Sequence, residues 1–186
     1  MSRLVVTDTP IAGLRLVQRQ TIGDARGFLS RLFCAQELAA AGWSKPVAQV
    51  NHTATESRGT LRGLHYQTAP YAEMKLVCCL RGEVWDVAVD LRPDSVTYLK
   101  WYAQHLSASA HDAMLIPEGC THGFQTLTDG VEMLYFHSMP YTPQAEAGLH
   151  PLDPRLAITW PLPVTRMSDR DAGHPLLDAH FEGVRL

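Results

Sequence analysis

The sequence lacks the features that mark a membrane protein or a nucleic-acid-binding protein. None of its apolar runs approaches the roughly 18 residues that a membrane-spanning helix needs, and its first residues show no secretory signal. Charged residues make up 19% of the 186 positions and give a formal net charge of −3, so the basic excess typical of nucleic-acid binders is missing. We therefore expect neither a membrane nor a nucleic acid as a partner.

Cysteine is scarce, with four residues, and no Cys-x-x-Cys pair occurs. Cys78 and Cys79 are adjacent and would point to opposite faces of a strand. This spacing suits neither a disulfide framework nor a zinc knuckle. We interpret the cysteines as reduced thiols, which predicts a cytoplasmic protein.

Histidine is abundant, with nine residues, and this raises the question of a metal site. The turn Pro117-Glu118-Gly119-Cys120-Thr121-His122, in a strand-rich region, resembles the second motif of cupins. A metal-binding cupin would also need a His-x-His pair with a nearby carboxylate. The sequence there reads His65-Tyr66-Gln67, and the next carboxylate is Glu73. We predict no metal and no cofactor, and a metal-dependent cupin enzyme is kept as an alternative.

The middle of the chain has the pattern of short β-strands. Segment 84–91 is rich in β-branched and aromatic residues, and alternation places Trp85 and Val87 on one face and Asp86 with Ala88 on the other. Further strands are predicted at 97–103, 113–116, 123–127 and 131–137. Many short strands at this spacing predict an all-β sandwich or barrel.

Helices are predicted only towards the two ends of the chain. Residues 35–41 are rich in helix formers and are followed by Gly42, which predicts one short N-terminal helix. The proline-containing tail, 157–186, is expected to wrap the barrel with short helices. No linker or repeat interrupts the sequence, so residues 1–186 form one predicted domain.

Arg62, His65 and Lys75 are candidate functional residues in the strand-rich region. Arg62 and His65 are three residues apart, so in a regular strand they would face opposite sides unless a bulge intervenes. Lys75 interrupts an apolar strand and therefore needs a partner in the interior. The alternative is that its amine reaches the surface.

Two further candidates have ordinary structural interpretations when taken alone. Tyr135 shares one face of its strand with His137, and such a tyrosine is commonly a core aromatic with a satisfied hydroxyl. Asp171 is by default a helix cap or a surface charge. His137 itself we interpret as structural or solvent-facing.

Taken in order, the motifs of this chain resemble those of the dTDP-4-dehydrorhamnose 3,5-epimerase family. The most specific are Arg-Gly-Thr-Leu-Arg-Gly-Leu-His at 58–65 and Pro-Glu-Gly-Cys-Thr-His-Gly-Phe at 117–124. The resemblance covers roughly residues 3–178, and its other motifs lie at 24–28, 49–52, 75–77, 82–92, 134–135, 141–146, 153–154 and 160–161.

This resemblance implies a fold, an assembly and an activity. The fold is a cupin-type jelly roll (a double-stranded β-helix) with an arm of N-terminal strands. The assembly is a homodimer that exchanges those strands. The activity is cofactor-independent inversion of C3, C5 or both in a nucleotide-linked 4-keto-6-deoxyhexose.

The family's functional residues fall on matching positions here. The resemblance implies that His65 is the base, Asp171 its acidic partner, Tyr135 the acid and Lys75 the lysine beside the sugar. It also implies a set of positions that bind the nucleotide diphosphate: Arg26, Gln49, Asn51, Arg62, His122, Glu146 and Arg170.

The chemistry of such an epimerase explains these residue types. A hydrogen beside a ketone is a weak acid, so the enolate needs stabilisation by a group such as a lysine. A neutral imidazole can remove the proton near pH 7, and a carboxylate stabilises the imidazolium formed. Inversion requires a second group that returns a proton from the opposite face, and arginines can bind the diphosphate.

Two questions remain open at this point. Arg31 stands where the family usually carries a glutamate near the nucleotide, and Ala25 stands where aspartate is more usual. The nucleotide can therefore be dTDP or another, such as CDP. A second alternative for the whole chain is a catalytically idle nucleotide-sugar-binding protein on the same fold.

Overall fold

A computed structural model describes residues 2–186; Met1, the first residue of the predicted domain, lies outside it. The chain forms strands and only two short helices in this range. The elements are β1 (Leu4–Asp8), β2 (Arg15–Arg19), β3 (Ile22–Asp24), β4 (Gly27–Leu29), α1 (Ala35–Ala39), β5 (Gln49–Thr55), β6 (Leu61–Gln67), β7 (Lys75–Arg81), β8 (Glu83–Asp90), β9 (Trp101–Ser107), β10 (Asp112–Ile116), β11 (Cys120–Thr126), β12 (Val131–His137), β13 (Glu146–Gly148) and α2 (Asp169–Ala172).

Two antiparallel sheets form the barrel. The six-stranded sheet has the order β1-β2-β10-β7-β12-β5, and the five-stranded sheet has the order β13-β6-β11-β8-β9. The main apolar cluster joins side chains of both sheets, such as Val77 and Met133 of the first with Val84 and Phe124 of the second. The core therefore lies between the sheets, and the predicted all-β jelly roll is confirmed.

The β8 strand alternates as the sequence predicts. Val84 and Ala88 belong to the cluster inside the barrel. Val87 and Val89 pack on the other side with residues of the C-terminal segment, including Leu177. Asp86, on the inner face, is therefore carried into the barrel interior together with its apolar neighbours.

The predicted strand at 97–103 is wrong in its first half. The strand begins only at Trp101, because Leu99 has a φ of 58°, which is incompatible with an extended strand. The Thr97 hydroxyl donates to the Asp90 carboxylate over 2.6 Å, and this contact fixes a turn at that place.

The helices differ from the prediction in length and number. The N-terminal helix exists but ends at Ala39, and Gly42 follows with a φ of 103°. In the tail, α2 is the only helix among the described residues, and Ser168 caps it by accepting from the Asp171 amide over 3.1 Å. The expectation of several C-terminal helices is therefore wrong. Within residues 2–186, no helix is long and apolar enough to cross a membrane.

Candidate active site

A cavity of about 250 Å³ opens between the two sheets. Strands from both sheets, the segment after β12 and α2 contribute its walls. The lining side chains are Gln49, Asn51, Thr53, Arg62, His65, Tyr66, Gln67, Glu73, Lys75, His122, Phe124, Tyr135, His137, Tyr141, Glu146 and Arg170. Nearly all of the residues singled out from the sequence thus meet in one place.

His65 and Asp171 form a hydrogen-bonded pair at one wall of the cavity. The His65 Nε2 atom lies 2.8 Å from Asp171 Oδ1, and the other Asp171 oxygen accepts the Gly63 amide over 3.1 Å. Burial raises the pKa of Asp171, but the bonds from His65 and Gly63 outweigh burial and lower it to about 2. The carboxylate is therefore ionised near neutral pH and lies behind the imidazole.

A bulge in β6 brings Arg62 and His65 to the same cavity. In the pairing with β11, His65 lies opposite His122 and Arg62 lies opposite Phe124, so three steps along β6 match two along β11. The extra residue shifts the alternation by one position. Arg62 and His65 therefore face the same side, as their spacing allows only when a bulge lies between them.

Tyr135 faces the cavity from the sheet opposite His65. It lies on β12 in the six-stranded sheet, whereas His65 lies on β6 in the five-stranded sheet. Burial raises the pKa of the Tyr135 phenol well above its usual value. The hydroxyl therefore keeps its proton near neutral pH and is available as a proton donor.

Lys75 does not reach the surface. Its side chain is 7% exposed, and its Nζ atom lies 3.1 Å from Glu73 Oε1 and donates to the His65 carbonyl oxygen over 3.1 Å. The second Glu73 oxygen lies 2.9 Å from His137 Nδ1. The sequence-based interpretation of His137 as structural or solvent-facing missed its position in the cavity wall. Its alternation with Tyr135 along one strand face was the signal that could have placed it there.

A second imidazole–carboxylate pair lies at the floor of the cavity. His122 Nε2 is 2.7 Å from Asp86 Oδ1, and both residues are buried. The other oxygen, Asp86 Oδ2, is buried with no hydrogen-bond partner among the described residues. The His122 and Tyr135 rings lie 6.0 Å apart, so His122 is close to the proposed acid.

The mouth of the cavity carries the more exposed polar groups. Glu146 accepts from the Tyr141 hydroxyl and from the Arg170 guanidinium, each over 2.8 Å. Gln49 and Asn51 project from β5, and the Gln49 side chain donates to that of Asn51 over 3.0 Å. Tyr141, which no motif argument from the sequence assigned to the site, is 51% exposed.

Arg26 is the one predicted binding residue that lies outside the cavity. It sits between β3 and β4, a hairpin whose strand residues are all exposed, and its guanidinium contacts the Asp24 carboxylate. Arg31 also lies away from the cavity and pairs with Glu37. Within a single chain, therefore, neither residue is in position to contact a ligand of this cavity.

One cluster of the described residues has the spacing of metal ligands. His65, Asp171 and His174 offer ligand atoms within 4.8 Å of one another. However, the His65 Nε2 atom already contacts Asp171 and lies 3.1 Å from a nitrogen of the Arg170 guanidinium. A metal ion there would meet this positive charge and break the pair. We therefore interpret the cluster as part of an acid–base site.

A jelly-roll barrel that holds a histidine–aspartate pair, a tyrosine on the facing sheet and several cations has the equipment of an acid–base enzyme. A family model described as dTDP-4-dehydrorhamnose 3,5-epimerase matches residues 8–179. The chain belongs to this family. The predicted family and the predicted enzyme class, a carbohydrate epimerase, are confirmed.

Individual relatives agree with this placement. The chain is 39% identical to the dTDP-4-dehydrorhamnose 3,5-epimerase of Shigella flexneri, over 95% of this chain and 98% of that protein. It is 38% identical to the dTDP-4-dehydrorhamnose 3-epimerase of Streptomyces niveus, over 90% and 81%. Relatives that invert one carbon and relatives that invert two are thus about equally similar to it.

Solved structures give the same result. A dTDP-6-deoxy-D-glucose-3,5-epimerase from Legionella pneumophila, in complex with dTDP-4-keto-L-rhamnose, superposes with a TM-score of 0.90 at 36% identity and covers 98% of both chains. A dTDP-4-dehydrorhamnose 3,5-epimerase from Bacillus anthracis, with TDP and pyrophosphate bound, has a TM-score of 0.90 at 35% identity, over 94% of this chain and 99% of that one.

Proposed function

We propose that this protein inverts C3, C5 or both in a nucleotide-linked 4-keto-6-deoxyhexose. The observation that carries the proposal is the placement of two proton-handling groups on opposite sheets of one cavity. The His65–Asp171 pair lies on one side and the protonated Tyr135 on the other. Such an arrangement lets a proton leave one face of a sugar ring and return to the other.

His65 acts as the base in this proposal. The ionised Asp171 carboxylate can only accept a hydrogen bond, so we assign the proton of His65 to Nε2, which lies 2.8 Å from that carboxylate. The lone pair is then on Nδ1 and can take the hydrogen beside the ketone. The resulting imidazolium is stabilised by the Asp171 carboxylate. As the proton leaves, negative charge develops on the C4 oxygen, and the buried ammonium of Lys75 stabilises it.

The polar rim and the remaining cations bind the nucleotide diphosphate. The guanidinium groups of Arg62 and Arg170 can each bind two phosphate oxygens. The same opening is lined by Gln49, Asn51 and Glu146. His122 is buried beside Tyr135, so we assign it to the sugar end of the substrate. The sugar nucleotide and TDP found in the Legionella and Bacillus neighbours support a ligand of this class.

Solvent deuterium exchange tests the proposed activity. The purified protein is incubated in D₂O with dTDP-linked and CDP-linked 4-keto-6-deoxyglucose, and NMR follows deuterium at C3 and C5. We expect exchange and inversion with at least one nucleotide, and the exchanging carbon identifies the inverted centre. Binding of the sugar nucleotides without exchange at either carbon would instead support the idle binding protein and overturn the proposal.

We further propose a homodimer in which the hairpin β3–β4 of each chain reaches the partner's cavity. Within one chain the hairpin pairs with no other described strand and exposes Phe28 and Leu29, each at 63%, and a two-stranded hairpin is only marginally stable by itself. Strand β5 is an open edge of its sheet among the described residues and borders the cavity. A partner's hairpin at this edge would cover apolar surface and bring Arg26 to the nucleotide. Strand β1, by contrast, pairs with β2 of its own chain.

Subunit mixing tests this assembly. Arg26→Ala and His65→Ala proteins are each expected to be poorly active, but their mixture should regain activity because one hybrid site then has both native residues. If both residues of a site come from the same chain, mixing restores nothing. Light scattering should show that Phe28→Asp weakens the dimer, whereas Val96→Asp, at a position 87% exposed, leaves it intact.

A further inference from the structure

Glu73 and His137, which have no role in the mechanism above, form a buried cluster with Lys75. The two Glu73 oxygens are both occupied: Oε1 lies 3.1 Å from the Lys75 ammonium and Oε2 lies 2.9 Å from His137 Nδ1. The side chains are 8%, 7% and 12% exposed for Glu73, Lys75 and His137. All three line the cavity.

The contacts of Lys75 fix the direction of its ammonium. An ammonium has three N–H groups. One donates to the His65 carbonyl oxygen, and the ammonium also forms an ion pair with Glu73 over 3.1 Å, so at least one N–H is left for a ligand. Because the His65 backbone is one of the anchors, the ammonium is held in a fixed relation to the base.

His137 in turn limits how Glu73 can move. A carboxylate bound through one oxygen can rotate about its terminal torsion, but bonds to both oxygens hold its plane. The His137 ring lies on β12 two residues beyond Tyr135, and the two rings are stacked with centroids 6.2 Å apart. Its Nε2 atom lies 3.5 Å from the Asn51 amide nitrogen. The ring is thus supported on both sides.

We propose that Glu73 and His137 are positioning residues for Lys75, which hold its ammonium where the C4 oxygen of the substrate becomes negative. This inference rests on the role of Lys75 in the proposed function. It adds that the lysine depends on a carboxylate and an imidazole to which the proposed mechanism assigns no chemical step. A misplaced ammonium would still bind the ground state but would stabilise the enolate poorly.

A double-mutant cycle between Glu73 and Lys75 tests the inference. Lys75→Met is expected to lower kcat for inversion about 100-fold, and Glu73→Gln about 10-fold with KM changed less than about twofold. If Glu73 acts through Lys75, adding Glu73→Gln to Lys75→Met causes no further loss. Losses that multiply in the double variant, or an unchanged kcat in Glu73→Gln, would overturn the inference.

His137 variants keep the test decisive if Glu73→Gln folds poorly. Asparagine can place an N–H donor near the Nδ1 position of histidine, whereas leucine cannot. We expect His137→Asn to retain kcat within about threefold and His137→Leu to lose about 10-fold. Equal kcat in the two variants contradicts the positioning role. His105→Leu is the control, because His105 contacts Glu83 over 2.8 Å in an exposed pair outside the cavity.

The outcomes separate this inference from the proposed function. If the wild-type protein shows no exchange, the proposed function fails. If Lys75→Met exchanges and inverts normally, the proposed role of Lys75 fails. If Lys75→Met is impaired while the Glu73 and His137 variants match wild type in kcat, only the positioning role fails.

Discussion

Replacing His65 by alanine is expected to lower deuterium exchange into the sugar by at least about 1,000-fold, since a positioned general base contributes rate factors of this order. The Asp171 carboxylate would remain in place but would have no imidazole to stabilise. The bulge in β6 is set by backbone pairing with β11, so the fold should persist. NMR exchange rates at C3 and C5, with thermal melting as the check on folding, measure the effect.

Asp171→Asn tests how much the carboxylate contributes to the action of His65. The amide keeps the shape of the side chain, but it loses the charge that stabilises the imidazolium and can hold the wrong tautomer. We expect a loss of about 100-fold, smaller than that of His65→Ala. His180→Ala, an exposed histidine outside the cavity, should exchange normally. A folded His65→Ala protein that exchanges at the wild-type rate would place the base elsewhere.

The sequence contains enough information to predict the fold class and most of the cavity's residues. The alternation in 131–137 places Tyr135 on an inner face, and the structure has β12 at those bounds. Motif resemblance brings in Asp171, which lies 106 positions from its partner His65. Nothing in local pattern reports such a contact, because α2 reaches β6 only through the folded tail.

The features that escaped prediction depend on the register between strands. Glu73 and Lys75 meet His137 because β7 and β12 pair with Lys75 opposite His137, and no single strand reveals that register. The His122–Asp86 pair likewise needs the pairing of β11 with β8. Arg26 has its matching motif but no contact with the cavity of its own chain. In the homodimer proposed above, Arg26 would instead reach the cavity of the partner chain.

Tyr135→Phe is expected to separate proton removal from inversion. The substitution keeps the buried ring and its packing in the barrel cluster and removes only the hydroxyl. His65 can still remove and return a proton on its own face, so exchange of deuterium into unreacted substrate should stay within a few-fold of wild type. Formation of the inverted sugar should fall by about 100-fold or more, because the proton donor on the opposite face is missing.

The separation follows from where the two groups stand and from the protonation state of the phenol. Burial keeps the Tyr135 phenol protonated, so at neutral pH it can give up a proton but cannot take one. His65, with its anionic partner, can take a proton. Tyr102→Phe is the matched control, because the Tyr102 hydroxyl donates to Gln104 outside the cavity; it should leave both rates unchanged. If Tyr135→Phe lowers exchange and inversion equally, the tyrosine takes part in forming the enolate. Its assignment as a proton donor only must then be abandoned.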